Sequence, residues 1–265
     1  MSDRPPPGLA EARSGGAAFL FLSPHLDDAV LSCGALMRSL AATSALTVVT
    51  AFTTADPPPH TYAARSFLRR CAMPDAEALF AQRRAEDRRV LDDLGAAHVH
   101  LGYADALFRR RRTGTPLVRH TGRLLPELVH RYPTYRFDIA RGRIARGDRA
   151  LIEALTATVA GWIRRTPSPW VFCPLGVGRH VDHLIVRAAG ERFAERFVYY
   201  ADFPYVRTAL PDAGFVARHR LAPWSWTEGI EAKERLIRGY RTQVDGLFPS
   251  GRIPPIPETY YSPLP

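Results

Sequence analysis

The residues richest in chemistry form two short clusters, His25-Leu26-Asp27-Asp28 and, far downstream, His180-Val181-Asp182-His183. Each follows an apolar run, Phe19-Leu20-Phe21-Leu22 before the first and Trp170-Val171-Phe172-Cys173 before the second. Imidazoles and carboxylates are the ligands of hydrolytic metal centres, and three protein ligands leave positions for water and substrate. His25, Asp28 and His183 are therefore predicted to hold a divalent metal. Zn²⁺ is the expected ion, and the same donors also suit Fe²⁺ or another divalent cation. Asp27, beside a ligand, is predicted to act as general base toward the attacking water. His180 precedes His183 by three residues, so at a helix start the two rings face roughly the same way. His180 is assigned to polarise a substrate carbonyl, and Asp182 to orient the His180 ring. Taken alone, adjacent aspartates at a helix start more often cap the helix.

Such clusters act together only if the fold brings distant strand ends to one place. Apolar or β-branched runs predict strands at Ala17–Leu22, Leu46–Thr53, Ala97–Leu101, Trp170–Cys173 and Phe197–Tyr200. Helices are predicted over Ala29–Leu40, Ala76–Leu94 (closed by Gly95), from Asp148 through Trp162, and over Val181–Arg196 and Ile230–Val244. This alternation predicts an α/β fold with a mainly parallel sheet, in which ligands bind beyond the carboxyl ends of the strands. Residues 1–16 read as a flexible leader, and 17–265 as a single domain. Between 104 and 147 the periodicity fails, which predicts an insertion or lid after the third strand. Gly176-Val177-Gly178 suits a relaxed turn before His180 and is too little to indicate a nucleotide site.

Pro24-His25-x-Asp27-Asp28 followed by His180-x-Asp182-His183 resembles the PIG-L/LmbE-type deacetylases, metal-dependent amidohydrolases of N-acetylglucosaminyl and related N-acyl amino sugars. The resemblance runs from about Ala17 to about Phe248. It implies a Rossmann-like three-layer sandwich, and it turns the reading of Asp27 and Asp28 from helix caps to a metal site. It also implies that Arg83 and Asp105 bind substrate, whereas the residues alone equally suit a solvated Arg83–Glu86 pair on a helix surface. Tyr199–Tyr205 and Lys233, Tyr240 and Gln243 resemble segments at the far side of the family's cleft. Ala201 stands where an acidic residue is more usual, so no catalytic role is carried over there.

Composition narrows the function classes. The formal charge is +10, and Lys233 is the only lysine, so arginine carries nearly all of the basicity. Arg109–Arg112 reads as a solvated run or as a contact for an acidic substrate group. Cys33, Cys71 and Cys173 are scattered without a Cys-x-x-Cys pair, which argues against a disulfide framework and a thiolate zinc site. His98 and His100 alternate on one strand face and read as a satisfied pair. The chain start carries no apolar run of the signal-peptide or anchor type, and a cytoplasmic location is expected. The expected activity is metal-dependent deacylation of a small-molecule N-acyl amino-sugar conjugate, with neither nucleic acid nor membrane as partner. The alternatives are an amidase of the same fold acting on another amide, such as a thiol-sugar conjugate, and a basic nucleic-acid-binding protein. The latter lacks any helix-turn-helix, zinc-finger or RNA-recognition signature.

Overall fold

Among the described residues seven segments pair into one sheet: β1 (Ala18–Ser23), β2 (Ala45–Thr54), β3 (Ala97–Ala104), β4 (Trp170–Pro174), β5 (Phe197–Tyr200), β6 (Leu221–Trp226) and β7 (Glu258–Pro263). The protein is represented by a computed structural model that describes residues 5–6, 8–111, 122, 124–166 and 169–264. The strand order is β3-β2-β1-β4-β5-β7-β6. The first five strands are mutually parallel, and β7 runs antiparallel to both β5 and β6. From β1 the chain winds outward to β2 and β3, then returns to place β4 on the other side of β1. The crevice beyond the ends of β1 and β4 is thus the switch point where doubly wound sheets bind ligands.

The helices are α1 (Leu9–Ser14), α2 (Asp28–Leu40), α3 (Tyr62–Arg70), α4 (Ala76–Leu94), α5 (Arg149–Arg165), α6 (Val181–Gly190), α7 (Ala213–Arg218), α8 (Ile230–Ile237) and α9 (Arg241–Leu247). They cover both faces of the sheet, completing the three layers. On β1, Phe19 and Phe21 point into a core with α2 and the C-terminal half of α4. Leu20 and Leu22 point into the opposite core, shared with α3, α5 and α6. This period-two alternation between two apolar layers is why β1 reads as a continuous apolar run. None of the described helices is long and apolar enough to cross a membrane.

Several elements differ from the sequence reading for identifiable reasons. Part of the supposed flexible leader is α1, whose Leu9 is buried in the core. Helix α4 has the predicted bounds, with the Asp75 carboxylate accepting from Ala78 N–H and Gly95 closing it at φ 79°. The predicted helix Val181–Arg196 ends at Gly190 and continues as tighter 3₁₀ turns. The predicted helix Ile230–Val244 breaks into α8 and α9, because Gly239 presses against Val90 and Tyr240 turns inward to donate to Asp87 at 2.9 Å. Strand β6 contains Pro223, which an edge strand tolerates.

Candidate metal centre and cleft

The chain leaves β1 through Ser23-Pro24 and delivers His25, Asp27 and Asp28 to the switch point. Neither aspartate serves as a cap. Asp27 stands at the N-cap position of α2 without a side-chain capping bond. The Asp28 carboxylate turns back to accept from the His25 backbone N–H at 2.8 Å. The same oxygen, Oδ2, lies 3.0 Å from His25 Nδ1 and 3.3 Å from His183 Nε2. Beyond β4, left-handed backbone at Gly176 and Gly178 swings the chain around to His180. At Gly178 (φ 82°) a side chain is also excluded by space, since a Cβ would come within 2.7 Å of the Tyr205 ring. His180 then caps α6, its ring accepting from Asp182 N–H at 3.3 Å.

His183 is fully buried, and its Nδ1 donates to Asp202 Oδ1 at 2.6 Å. That bond fixes the tautomer, because a carboxylate only accepts. The other nitrogen, Nε2, is buried and has no hydrogen-bond partner although Asp28 Oδ2 is its neighbour. A lone pair facing a carboxylate oxygen in a buried site is the arrangement a bound cation relieves, so the donor set fits a divalent metal. One ring nitrogen of each of His25, His180 and His183 also lies within 4.8 Å of the others. The same holds for His25, Asp105 and Asp182. Asp28 Oδ2 thus lies beside both His25 and His183, while the sets that approach one another within 4.8 Å bring in His180, Asp105 and Asp182.

Electrostatics follow from burial and these neighbours. Burial, reinforced by Asp28, raises the Asp27 carboxyl to about 7. Burial opposes ionisation of Asp28 too, but His183 and His25 outweigh it and hold Asp28 well below the usual range. Burial with the nearby rings of His25 and His183 lowers His180 to about 3, so this ring is neutral. His25 is disfavoured as a cation by burial, yet hydrogen bonds to Asp182 and Asp28 raise it. Burial likewise raises Asp105, whose Oδ2 lies 3.5 Å from His25 Nε2.

The Asp182 carboxylate does not orient His180, as the sequence reading assigned. It accepts from Ala106 N–H at 2.8 Å, lies 3.3 Å from His25 Nε2 and forms a buried ion pair with Arg109. The cause is the insertion, which sends Arg109 into the core instead of into solvent. Arg109 is 6% exposed. Its fork also reaches Asp148 at 3.0 Å and the Ala104 carbonyl at 2.9 Å, with Phe52 beneath the guanidinium at 4.6 Å. Arg110 and Arg111 remain at the surface side of this turn, and Arg112 lies outside the described residues.

A cleft of about 660 Å³ opens above these groups, with Asp27, Asp28, Asp105, His25 and His180 on its floor and Tyr135 of the insertion on its wall. Its volume lies within the range of small-molecule sites. Arg83 and Glu86 do not form the solvated pair considered above. Both are buried on α4, where Glu86 accepts from the Thr242 hydroxyl at 2.6 Å and Arg83 lines the cleft. Gln243 also lines the cleft and donates to the Leu26 carbonyl, whereas Lys233 lies apart in a buried pair with Glu258. His100 pairs with Asp87 at 2.8 Å. Two residues of the site were not assigned from sequence, Asp202 and Arg109. An aspartate just beyond a strand end was the available signal for Asp202; Arg109 had none, since a buried arginine inside an arginine run looks like its exposed neighbours.

A three-layer α/β sandwich here brings imidazoles and carboxylates that could hold a metal ion to its switch point, beside a cleft of small-molecule size. Residues 20–194 match the PIG-L family model, described as GlcNAc-PI de-N-acetylase, and the chain belongs to that family. A curated relative, 2'-N-acetylparomamine deacetylase of Streptomyces fradiae, is 29% identical over 237 residues, covering 85% of this chain and 73% of the relative. Among solved structures, a deacetylase–teicoplanin complex superposes with a TM-score of 0.69 at 22% identity, covering 92% of this chain and 97% of the other. The zinc-inhibited form of teicoplanin deacetylase gives 0.66 at 21% identity, with the same coverages of 92% and 97%. These structural likenesses establish the shared fold.

Proposed function

We propose that this protein is a metal-dependent hydrolase that removes an acyl group, most simply acetyl, from the amine of an amino-sugar conjugate. The observation carrying this reading is the orphaned His183 Nε2 facing Asp28 Oδ2, with the Asp27 carboxylate, which makes no capping bond, lining the cleft beside them. Family membership and the curated relative support the choice of an N-acyl amine as substrate.

His25, Asp28 and His183 would hold the ion, with Zn²⁺ the first candidate. When bound, the ion supplies Lewis acidity, polarising the amide carbonyl and making water acidic enough to lose a proton at neutral pH. Asp27 takes that proton as water attacks the amide carbon; its raised pKa suits a base working near neutrality. His180, a neutral ring on the cleft floor, hydrogen-bonds the carbonyl oxygen as negative charge develops on it. Collapse of the tetrahedral intermediate breaks the C–N bond, and the proton held by Asp27 passes to the departing amine. Asp182 acts on His25, fixing its ring from the side opposite Asp28. Arg83 and Asp105 contact the sugar portion. A second ligand set, His25 with His180 and His183, is favoured by their mutual approach within 4.8 Å and would move His180 from the carbonyl to the ion.

The test is amine release from a panel of N-acetylated sugar conjugates, with metal content measured beforehand. The reading expects turnover of at least one conjugate that disappears on chelation and returns with added divalent ion. Turnover that persists in a protein shown to be metal-free would contradict it. The substrate is thus a small molecule, and a cytoplasmic site of action is part of the same proposal.

A further inference from the structure

Four arginines face the cleft without a carboxylate to hold them. Arg83 is only 9% exposed, and its buried Nε has no hydrogen-bond partner. Arg70 closes α3, Arg136 lies in the insertion and Arg241 opens α9; all three are exposed, and all line the cleft. Among the described residues none of the four forms an ion pair or a side-chain hydrogen bond, whereas Arg109, Arg187 and Arg218 each meet a carboxylate. Two of the four converge on one ring. The Arg83 and Arg70 guanidiniums lie 5.5 and 6.0 Å from the Phe67 centroid. An apolar ring shared by two like charges attracts each only weakly; Arg83 is in addition offset by the nearby Asp27 and Asp105 carboxylates, so the uncompensated charge lies with Arg70, Arg136 and Arg241.

The cleft is consequently bipolar. Carboxylates of Asp27, Asp28 and Asp105 sit on the floor with the imidazoles, and guanidiniums stand on the walls and mouth, where Asp245 is the acidic residue among those lining it. Guanidinium forks match carboxylate and phosphate oxygens in pairs, and a partly enclosed cleft screens such contacts less than open surface does.

We infer that the substrate carries an anionic group, a phosphate or a carboxylate, on the side away from the acylated nitrogen. Arg70, Arg136 and Arg241 receive that group, and Arg83 supplies positive potential behind it. The inference rests on the deacylase reading for the placement of the acylated end. It goes further in assigning the opposite end a charge.

Binding of glucosamine, glucosamine 6-phosphate and muramic acid to the wild-type protein, measured by calorimetry at low ionic strength, tests this. None of the three carries an N-acyl group, so none is consumed. At least one anionic sugar is expected to bind about tenfold or more tightly than glucosamine, the phosphate and carboxylate arms showing which group is preferred. The advantage should shrink in 0.5 M salt, where the Debye length is about a third of its value at 0.05 M. It should disappear in the Arg70→Ala/Arg136→Ala/Arg241→Ala variant, whose exposed positions leave the core intact. Equal binding of all three sugars, no binding of either anionic sugar, or an advantage that survives the triple variant overturns the inference. Failure of amine release across N-acetyl conjugates would instead remove the deacylase reading, while the calorimetric comparison would still decide the charge preference.

Discussion

Replacing Arg109 by Met removes the guanidinium that joins the insertion to the site while leaving every candidate metal ligand in place. The stem would still cover Phe52, but Asp182 and Asp148 would each lose a buried cationic partner. Breaking a buried pair by deleting one member costs about 3–5 kcal/mol. Asp148 keeps the Tyr132 hydroxyl and Arg131, and Asp182 keeps Ala106 N–H and His25, which places the expected loss near the lower end. For a chain of this size about 3 kcal/mol corresponds to a fall in Tm of roughly 6–12 °C. Arg109→Lys keeps the charge without the fork, so it should lose about half as much. Asp182→Asn removes the charge that Arg109 neutralises, so the double variant with Arg109→Met should be less destabilised than the two single losses added together, by about 1–3 kcal/mol. Urea denaturation, read as a midpoint shift at constant slope, measures all four quantities. A loss below about 1 kcal/mol for Arg109→Met, or strict additivity with Asp182→Asn, would show that this pair does not brace the insertion against the site.

Three further outcomes are expected. Asp28→Ala should lose metal and turnover together, whereas Asp27→Asn should keep metal and fold and lose on the order of a hundredfold or more in turnover; elemental analysis beside steady-state kinetics separates the two, and near-normal turnover of Asp27→Asn removes Asp27 as the base. Asp202→Asn leaves His183 a hydrogen-bond acceptor but loses the charge that fixes its ring, and should weaken metal binding by about 10–100-fold in a competition titration with a chelating dye; unchanged affinity would confine Asp202 to structure. Arg83→Met should raise KM about tenfold or more with a smaller change in kcat, as expected when an interaction made equally with substrate and transition state is lost; a selective fall in kcat would place Arg83 in the chemistry instead.

The two motifs were legible because each is a dense packet of chemistry after an apolar strand, and β1 and β4 then placed them side by side through their shared parallel pairing. The parallel core was legible for the same reason that it is buried: strands covered on both faces are written as unbroken apolar runs. β6 and β7 escaped because Pro223 and the mixed residues of Glu258–Pro263 carry little strand signal, and their pairing with β5 depends on distant chain. α3 is short, and its two buried positions, Ala64 and Leu68, lie among four charged or polar neighbours, Arg65, Ser66, Arg69 and Arg70, too thin an apolar stripe to read. Asp182 was assigned to the wrong imidazole because local spacing favours His180, while the long-range arrival of Arg109 and His25 sets where the carboxylate points. The insertion therefore reaches further into the site than its sequence suggests: it supplies Arg109 to Asp182 and Tyr135 to the cleft wall.

The central claim is that one divalent ion is held by His25, Asp28 and His183, with Asp27 beside it and His180 free to meet the carbonyl. Anomalous diffraction from crystals of the metal-loaded protein tests this most directly. A single strong peak is expected within about 2.0–2.2 Å of one atom from each of the three ligands, with His180 outside that distance. A peak ligated by His180 in place of Asp28, or no peak at the β1–β4 crevice in protein that is active, would contradict it.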